Sequence, residues 1–215
     1  MVEPSWTVVV PVKRLPAAKS RLRGALPAVP HEELALALAA DTVRAVLACP
    51  AVAGVLVVTD DARVAAELAA AGARIVPDAP DAGLNAAFRH GAATAGRHAR
   101  VIGLTADLPA LRPAELAAAL SVVAAGPSGV RRFVADAPGD GTVLLAAPAG
   151  VPLEPRFGVG SAAAHAASGA LPLAGDWPSL RRDVDTPADL VAAARIGLGP
   201  RTTALLGAGA AAAPA

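Results

Sequence analysis

The sequence predicts an α/β fold: a single Rossmann-like domain with a mainly parallel central sheet and helices on both of its faces. Short β-branched runs alternate with longer segments rich in alanine and leucine, which is the pattern of βαβ units. The 215 residues are enough for one well-filled core and short for two domains. Because only 2% of the residues are aromatic, we expect closely packed layers of valine, leucine and alanine.

The alternation assigns the first elements in chain order. Four strands, each followed by a helix, are predicted at residues 7–12 and 31–49, 54–59 and 62–71, 74–77 and 84–96, and 101–105 and 113–124. In open α/β sheets, ligands bind beyond the carboxyl ends of such strands, where the loops converge. We therefore expect the functional residues in the loops that follow these strands.

The second half of the chain departs from this alternation. Two strand-like runs at 130–135 and 142–147 are separated by a turn-rich segment, which predicts a small β-hairpin excursion. Two more helices are predicted, at 161–168 and 187–196. We expect residues 1–203 to form the single domain, and the alanine- and glycine-rich residues 204–215 to form a disordered tail.

Composition and charge exclude several classes of protein. The net charge of +1 gives no reason to expect binding to nucleic acid or to a membrane surface. No run of about 20 uninterrupted apolar residues predicts a membrane span, and no signal-peptide pattern opens the chain. We therefore expect a cytoplasmic protein, in which the single cysteine, Cys49, is a small buried hydrophobic residue.

The loop after the first strand carries a dense positive charge. Residues 13–23 contain five cations, among them the only two lysines in a chain with seventeen arginines, Lys13 and Lys19. A lysine is a compact point charge that suits polyphosphate, so the loop favours a triphosphate ligand. The alternative is an ordinary solvated basic loop. The segment is not a P-loop, because no glycine cradle precedes a Gly-Lys-Ser/Thr sequence.

Three aspartates predict a divalent metal. Asp107 directly follows the fourth strand, and the two-residue period of a strand would put Asp183 and Asp185 on one face. Carboxylates that converge repel each other without a cation, and Mg²⁺ prefers one or two carboxylates plus phosphate oxygens. The alternatives are a turn or capping role for Asp107, and neutralisation of the other two by Arg181 and Arg182.

A glycine-containing segment enters the predicted helix at 161–168. Gly158 and Gly160 leave room for an anion against free N–H groups, with Ser161 as the N-cap. No strand precedes the segment, so a dinucleotide fingerprint fits poorly. The four histidines share no metal-ligand spacing, and we expect them to be surface or helix residues: His31, His90, His98 and His165.

Together these segments resemble the guanylyltransferases of coenzyme F-420 biosynthesis, which are related to the molybdenum-cofactor and sugar-phosphate nucleotidyltransferases. The resemblance runs from Val8 to about Leu198. Its most specific pieces are Pro-Val-Lys at 11–13, Ala-Lys-Ser-Arg-Leu at 18–22, Gly-Leu-Asn at 83–85, Asp-Leu-Pro at 107–109, Gly-Thr at 141–142, Arg-Phe-Gly at 156–158 with Ser161, and Arg-Asp-Val-Asp-Thr at 182–186. It implies a GT-A-like nucleotidyltransferase fold.

The resemblance also implies a reaction and a set of site residues. GMP would be transferred from GTP to phosphoenolpyruvate, giving enolpyruvyl-2-diphospho-5′-guanosine and pyrophosphate, or to 2-phospho-L-lactate as in archaeal members. Asp107, Asp183 and Asp185 would hold Mg²⁺, and Thr142, Gly158 and Ser161 would receive the acceptor acid. Lys13 and Lys19 match the basic loop around the GTP phosphates, where with Asp107 they would be catalytic, and Asn85 matches a nucleotide-contacting position. The product would pass to a downstream transferase.

The lack of an evident catalytic histidine or serine agrees with this chemistry. An attacking phosphate oxygen is already ionised at neutral pH, so positioning and charge neutralisation carry the catalysis. Two other functions remain open from the residues. One is a sugar-1-phosphate or molybdopterin nucleotidyltransferase, for which few aromatic residues are available to line the pocket. The other is a catalytically silent GTP-binding subunit.

Overall fold

The computed structural model describes residues 6–24, 29–79 and 81–211. Its strands are β1 (Trp6–Pro11), β2 (Val52–Val58), β3 (Arg74–Val76), β4 (Arg100–Leu104), β5 (Arg132–Ala135), β6 (Thr142–Ala147) and β7 (Leu171–Pro172). Its α-helices are α1 (His31–Leu47), α2 (Ala62–Ala70), α3 (Leu84–Ala95), α4 (Pro113–Ala125), α5 (Ser161–Ala167), α6 (Pro178–Arg181), α7 (Pro187–Ile196) and α8 (Pro200–Ala211). Short 3₁₀ turns follow β1 at Leu15–Ala17 and Ser20–Leu22.

The strands form one seven-stranded sheet in the order β3-β2-β1-β4-β6-β5-β7. All neighbouring pairs are parallel except those of β6, which runs antiparallel to both β4 and β5. A parallel strand buried on both faces reads as a continuous apolar run, and Val8, Val9 and Val10 at the centre of β1 are fully buried. The predicted mainly parallel α/β sheet with a hairpin at β5–β6 is confirmed.

Helices cover both faces of the sheet, as predicted. Val8 and Val10 pack with α1, α2 and α4 in one core cluster, whereas Val9 packs with α3 on the opposite face. The absence of a side chain at Gly91 lets α3 approach closely, because a Cβ there would lie 2.3 Å from Val9 Cγ1. Small residues thus replace the missing aromatic bulk by letting the layers approach each other.

The direction of β6 decides what lies at the ligand edge of the sheet. The carboxyl ends of β1, β4 and β5 meet at this edge, and antiparallel β6 begins there at Thr142. The loops after β1 and β4 and the turn between β5 and β6 therefore surround one region. This is the edge at which the sequence predicts the functional residues.

The C-terminal segment differs from the disordered tail predicted from its composition. The described residues from 200 to 211 form helix α8. Asp41, buried within α1, accepts hydrogen bonds from the N–H groups of Arg201 (3.0 Å) and Thr202 (2.7 Å) at the start of α8. A carboxylate at a helix N-terminus satisfies amides that have no partner within the helix. Residues 212–215 lie outside the described part of the chain.

Element boundaries otherwise agree with the predictions to within about two residues, except for short elements that the sequence did not indicate, α6 and β7. Within the described residues, no helix is both long enough and apolar enough to cross a membrane. Cys49 is buried, as expected.

Candidate active site

A cleft of about 610 Å³ opens at the ligand edge of the sheet. Its walls come from the loops after β1 and β4, the β5–β6 turn, the segment before α5 and the segment after α6. It brings together eight of the nine predicted site residues: Lys13, Lys19, Asp107, Thr142, Gly158, Ser161, Asp183 and Asp185. The ninth, Asn85, lies behind the wall.

A second cleft of about 400 Å³ adjoins the first. It lies over the ends of β2 and β3, and Asp60, Asp78 and Gly83 line it. Lys13 and Leu84 line both clefts, so the two spaces meet at Lys13. The larger cleft thus extends from this junction toward β6, and the smaller one toward β3.

The basic loop is anchored by an aspartate that the sequence analysis did not single out. Asp61 is the N-cap of α2, where it accepts from the backbone N–H groups of Arg63 and Val64, and it also accepts from Leu15 N–H at 2.9 Å. Burial alone would raise the pKa of Asp61, but these hydrogen bonds outweigh it and lower the pKa. The capping position could have been read locally, whereas the contact with Leu15 joins residues 46 apart.

Lys19 binds carboxylates in this structure. Its ammonium contacts Asp107 and lies 2.6 Å from Asp185 Oδ1. Burial alone would lower the pKa of Lys19, but the charges of Asp107 and Asp185 and the hydrogen bonds to them outweigh it and raise the pKa. Lys19 therefore lies on the acidic wall of the cleft, which Asp107, Asp183 and Asp185 form, and its contact with the GTP phosphates stays a prediction.

Lys13 is the lysine that remains available to a ligand. It is exposed, lies where the two clefts meet, and forms no salt bridge with any described carboxylate. Its neighbour Arg14 instead lies 3.6 Å from Asp60 and 4.0 Å from Asp81 in the smaller cleft. Lys13 is thus available to a ligand, whereas Arg14 pairs with carboxylates of the smaller cleft. The alternative of an ordinary solvated loop therefore does not describe these two cations.

The three predicted metal ligands lie on two loops that are tied together. The N–H of Val184 donates to the carbonyl of Asp107 at 3.0 Å, and the Val184 side chain is fully buried. Asp183 and Asp185 flank Val184 and both line the cleft. The strand predicted here is wrong, because the chain after α6 is irregular. Asp183 and Asp185 nevertheless both reach the cleft, since the buried Val184 between them points the other way.

The acidic wall has more negative charge than its lysine neutralises. Burial, followed by the charges of Asp107, Asp185 and Asp136, raises the pKa of Asp183 to about 7. Asp107 Oδ1 is buried without a hydrogen-bond partner. Both features fit a hard cation with oxygen ligands.

The carboxylates are nevertheless not arranged around a vacant metal position. No group of three or more His, Cys, Asp or Glu side chains in the described ranges could hold an ion as it stands. The Lys19 ammonium lies between Asp107 and Asp185 and supplies the positive charge there. Mg²⁺ on the three aspartates therefore stays a prediction, and Lys19 would have to move for it to bind.

Neutralisation of the aspartates by Arg181 and Arg182 is wrong. The guanidinium of Arg181 donates to the carbonyls of Ala135 (2.9 Å) and Leu173 (3.1 Å). Arg182 forms no salt bridge with a described carboxylate. Arg181 thus joins β5 to the segment after β7, and Lys19 provides the charge compensation.

The N-cap predicted at Ser161 is wrong, whereas the acceptor site at Gly158 and Ser161 stays a prediction. The N-cap is Gly160, with a left-handed φ of 67°, and Ser161 is the first helical residue. Three N–H groups here already have acceptors: that of Gly160 donates to Asp140 Oδ2 (3.3 Å), that of Ser161 to Gly158 O (3.1 Å) and that of Ala162 to Asp140 O (3.0 Å). The β5–β6 turn occupies the helix start, which local sequence could not reveal.

His165 is the functional candidate that the sequence analysis missed. Its side chain is fully buried behind the cleft wall, and burial lowers its pKa to about 4. Nδ1 lies 2.9 Å from Thr142 Oγ1, and Nε2 accepts from the N–H of Arg156 at 2.9 Å. The predicted helix position is confirmed by α5, whereas the surface position that the sequence left as the alternative is wrong. The only sequence signal is its place one turn after Ser161 on α5.

Asn85 bonds the backbone of the segment before α5, and its contact with the nucleotide stays a prediction. Its Nδ2 donates to Phe157 O (3.0 Å) and its Oδ1 accepts from Phe157 N–H (2.8 Å). The side chain thus clamps the segment that carries Gly158. It lines neither cleft, so its influence on ligands is through this segment.

Comparisons with known proteins identify the family of this chain. The model of the family described as guanylyl transferase CofC like matches residues 6–167. A phosphoenolpyruvate guanylyltransferase from Salinispora arenicola is 75% identical over 202 residues, which cover 94% of this chain and 94% of the relative. The protein of the same name from Geodermatophilus obscurus is 57% identical over 208 residues, covering 94% of each chain.

Solved structures show the same fold. A nucleotidyl transferase from Methanothermobacter thermautotroptrophicus has a TM-score of 0.66 at 20% identity and covers 89% of this chain and 97% of the other. A putative nucleotide-diphospho-sugar transferase from Desulfovibrio desulfuricans G20 has a TM-score of 0.68 at 16% identity, covering 95% of both chains. The predicted nucleotidyltransferase fold is confirmed.

Proposed function

The chain belongs to the CofC-like guanylyl transferase family, and from this premise we propose that it is a phosphoenolpyruvate guanylyltransferase. It would transfer GMP from GTP to phosphoenolpyruvate, releasing pyrophosphate. The observation that carries the proposal is that three aspartates, Lys13 and the predicted acceptor residues Thr142, Gly158 and Ser161 line the same larger cleft. The relatives named above carry the same activity in their names over nearly the full chain.

The residues of the cleft suit phosphoryl-type transfer. A phosphate oxygen of phosphoenolpyruvate attacks the α-phosphorus of GTP, and the bond from that phosphorus to the β-phosphate oxygen breaks. The attacking oxygen is already ionised, so no general base is needed. Lys13, at the junction of the clefts, is available to stabilise the charge that develops on the departing pyrophosphate.

We propose that Asp107, Asp183 and Asp185 hold Mg²⁺ when substrates bind. The unpartnered Oδ1 of Asp107 and the raised pKa of Asp183 support this assignment, because both report uncompensated negative character. When bound, Mg²⁺ would neutralise phosphate charge and orient the reacting groups. Lys19 would then leave its position between the carboxylates and become available to the phosphates, the role expected from the sequence.

We assign the guanine base to the smaller cleft. Asp78 Oδ1 is buried there without a hydrogen-bond partner, and burial, followed by the charges of Asp81 and Asp60, raises the pKa of Asp78. Guanine presents its N1–H and 2-amino donors side by side, and a carboxylate can accept from both. Adenine has no such pair of donors on this edge, so Asp78 would favour GTP over ATP.

We further propose that the enzyme acts in coenzyme F-420 biosynthesis in the cytoplasm. The family resemblance in the sequence supports this role, and the chemistry agrees with it. The product is a diphosphate ester with a good GMP leaving group. A downstream transferase that consumes this ester is therefore the expected partner.

Parallel product analysis tests the function. Purified protein is incubated with GTP, MgCl₂ and either phosphoenolpyruvate, 2-phospho-L-lactate or a sugar 1-phosphate, and nucleotide products are identified by mass spectrometry. We expect the phosphoenolpyruvate ester with stoichiometric pyrophosphate. A product only with another acceptor would overturn the assignment of phosphoenolpyruvate. GTP binding without turnover on any acceptor would support the silent subunit instead.

A further inference from the structure

The donor and acceptor roles in the hydrogen bonds of His165 determine whether the Thr142 hydroxyl can donate to a ligand. This inference rests on the proposed function. A backbone N–H can only donate, so the N–H of Arg156 makes Nε2 of His165 the acceptor nitrogen. A neutral imidazole carries one proton, which must then be on Nδ1. The low pKa of the buried ring agrees with a neutral imidazole.

The proton on Nδ1 in turn determines what the Thr142 hydroxyl can do. Nδ1–H donates to Thr142 Oγ1 at 2.9 Å, so the hydroxyl accepts from the ring. The hydroxyl proton therefore points elsewhere, and Thr142 Oγ1 has no other hydrogen-bond partner among the described residues. Because Thr142 lines the larger cleft, this leaves one oriented donor for a ligand there.

The surroundings hold the imidazole in this state. The ring makes an edge contact with Phe157 (centroids 5.2 Å apart) and a tilted contact with Phe133 (5.9 Å). The charged groups that face it, Arg131 and Arg156, both oppose protonation of the ring, after burial itself. The carbonyl of Ser161 faces the ring and favours a protonated nitrogen. A second proton on the ring is therefore disfavoured, and the donor direction is maintained.

We propose that His165 is a positioning residue that fixes the Thr142 hydroxyl as a hydrogen-bond donor to an anionic oxygen of the acceptor acid. The acid carries only acceptor oxygens when ionised, so a hydroxyl that is free to donate suits it. His165 touches neither substrate and acts through Thr142. The role extends the predicted acceptor site of Thr142, Gly158 and Ser161 by one buried residue.

The tautomer can be measured without any activity. Long-range ¹H–¹⁵N correlation spectra of the ¹⁵N-labelled full chain, assigned with a His165→Gln sample, separate the protonated ring nitrogen from the unprotonated one. We expect a protonated Nδ1 and an unprotonated Nε2 at neutral pH. A proton on Nε2 would overturn the proposal, since Thr142 would then have to donate to the ring.

Two substitutions separate the two hydrogen bonds of the ring. In His165→Asn the amide can place a donor near the position of Nδ1, whereas in His165→Gln it can place an acceptor near that of Nε2. If His165 acts through Thr142, His165→Gln raises KM for phosphoenolpyruvate by about tenfold, with KM for GTP within about twofold, and His165→Asn retains most of the wild-type value. Rescue by glutamine and failure of asparagine would show that His165 only supports the Arg156 backbone.

A double-mutant cycle checks that the effect passes through the hydroxyl. Thr142→Val removes the hydroxyl with little change in shape, and Thr142→Ser retains it. We expect His165→Gln to have no further effect on KM in the Thr142→Val background and its full effect in the Thr142→Ser background. Additive effects in both backgrounds would contradict the proposal, and thermal melting of each variant monitors folding.

Failure of this inference and failure of the proposed function give different results. If wild-type protein releases no pyrophosphate from GTP and phosphoenolpyruvate, the proposed function is wrong, and the ring tautomer is still measured. If wild-type protein is active but glutamine rescues and asparagine does not, only the role of His165 is wrong.

Discussion

The parallel half of the sheet and the half around β6 contribute different chemistry to the same cleft. The loops of the parallel half, together with the segment after α6, present charged groups, including Lys13, Lys19 and Asp107. The other half presents the neutral residues Thr142, Gly158 and Ser161, backed by neutral His165, beside the two carboxylates of the β5–β6 turn, Asp136 and Asp140. A reaction that joins two anions has use for both, since charge brings the phosphates together and directed donors orient the small acid.

The two halves also differ in how their groups respond to pH. On the charged side, burial and neighbouring carboxylates raise the pKa of Asp183 to about 7. On the neutral side, burial lowers the pKa of His165 to about 4. Burial disfavours the charged form of both side chains. A bound metal cation would favour the ionised form of Asp183, but it would not favour a protonated His165.

The largest expected effect comes from removing a carboxylate of the charged side. We expect Asp107→Asn to lower kcat/KM by more than about 100-fold, which corresponds to about 2.7 kcal/mol of barrier. The matched control is Asp176→Asn, an exposed position outside both clefts, which should remain within about twofold. A loss under about threefold in Asp107→Asn, measured by pyrophosphate release, would remove Asp107 from the metal site.

The next largest effect is a difference between the two lysine variants, Lys19→Ala and Lys13→Ala, in stability and in KM for GTP. Lys19→Ala leaves Asp107 and Asp185 without their cation, so we expect the metal-free protein to lose about 2 kcal/mol of unfolding free energy. MgCl₂ should restore most of it. Lys13→Ala should leave stability unchanged and raise KM for GTP, because Lys13 has no carboxylate partner in the described chain.

Urea unfolding with EDTA or with MgCl₂ measures the stability of both lysine variants. Equal stability losses in the two variants would contradict the division of roles. For Lys19→Ala we also expect turnover to fall more than acceptor binding weakens. An unchanged turnover with only a raised KM for the acceptor would contradict a role of Lys19 in the transfer step.

Removing the carboxylate of Asp78, which we assign to guanine recognition in the smaller cleft, should have a smaller effect on activity. If Asp78 accepts from guanine, Asp78→Ala should lower kcat/KM for GTP by about tenfold. The preference for GTP over inosine triphosphate, which lacks the 2-amino group, should shrink at the same time. Asp81→Ala, an exposed carboxylate of the same cleft, is the matched control. An unchanged GTP to inosine triphosphate ratio in Asp78→Ala would contradict the assignment.

The smallest effect is the pH dependence of stability. Because folding raises the pKa of Asp183, the folded state keeps a proton that the unfolded state releases between about pH 4 and 7. Stability of the metal-free protein therefore falls as pH rises through this window. Asp183→Asn should be more stable than wild type by about 1 kcal/mol at pH 8 and by little at pH 4, measured by urea unfolding in EDTA. An equal difference at both pH values would contradict the assigned pKa.

Much of the charged side could be predicted because its signals are local. The basic loop follows β1 and Asp107 follows β4, so knowing the strand ends was enough to bring them to one edge. The convergence of Asp183 and Asp185 was also predicted, although by a strand that does not form. The pairing of Lys19 with carboxylates was not predicted, because Lys19 lies 88 residues from Asp107 and 166 residues from Asp185 along the chain.

The neutral side was less predictable because its groups act through distant partners. The family resemblance supplied Thr142, Gly158 and Ser161, but nothing in the sequence shows that His165 lies behind Thr142 or that Asn85 clamps Phe157 across 72 residues. Helix α8 was missed for a similar reason. Alanine and glycine composition indicated disorder, whereas the cap that stabilises its start comes from Asp41, 160 residues before Arg201.

The sequence by itself determined the order of strands and helices, the mainly parallel sheet, the edge where ligands bind and the charged residues that reach it. These depend on periodicity, turn chemistry and charge within short windows of chain. Tertiary structure alone decided that Lys19 pairs with carboxylates, that the amides of Gly160, Ser161 and Ala162 already have acceptors, and that a buried histidine lies within hydrogen-bond distance of the Thr142 hydroxyl. Hydrogen-bond direction depends on which groups meet after the chain has folded, and those meetings leave no local pattern in the sequence.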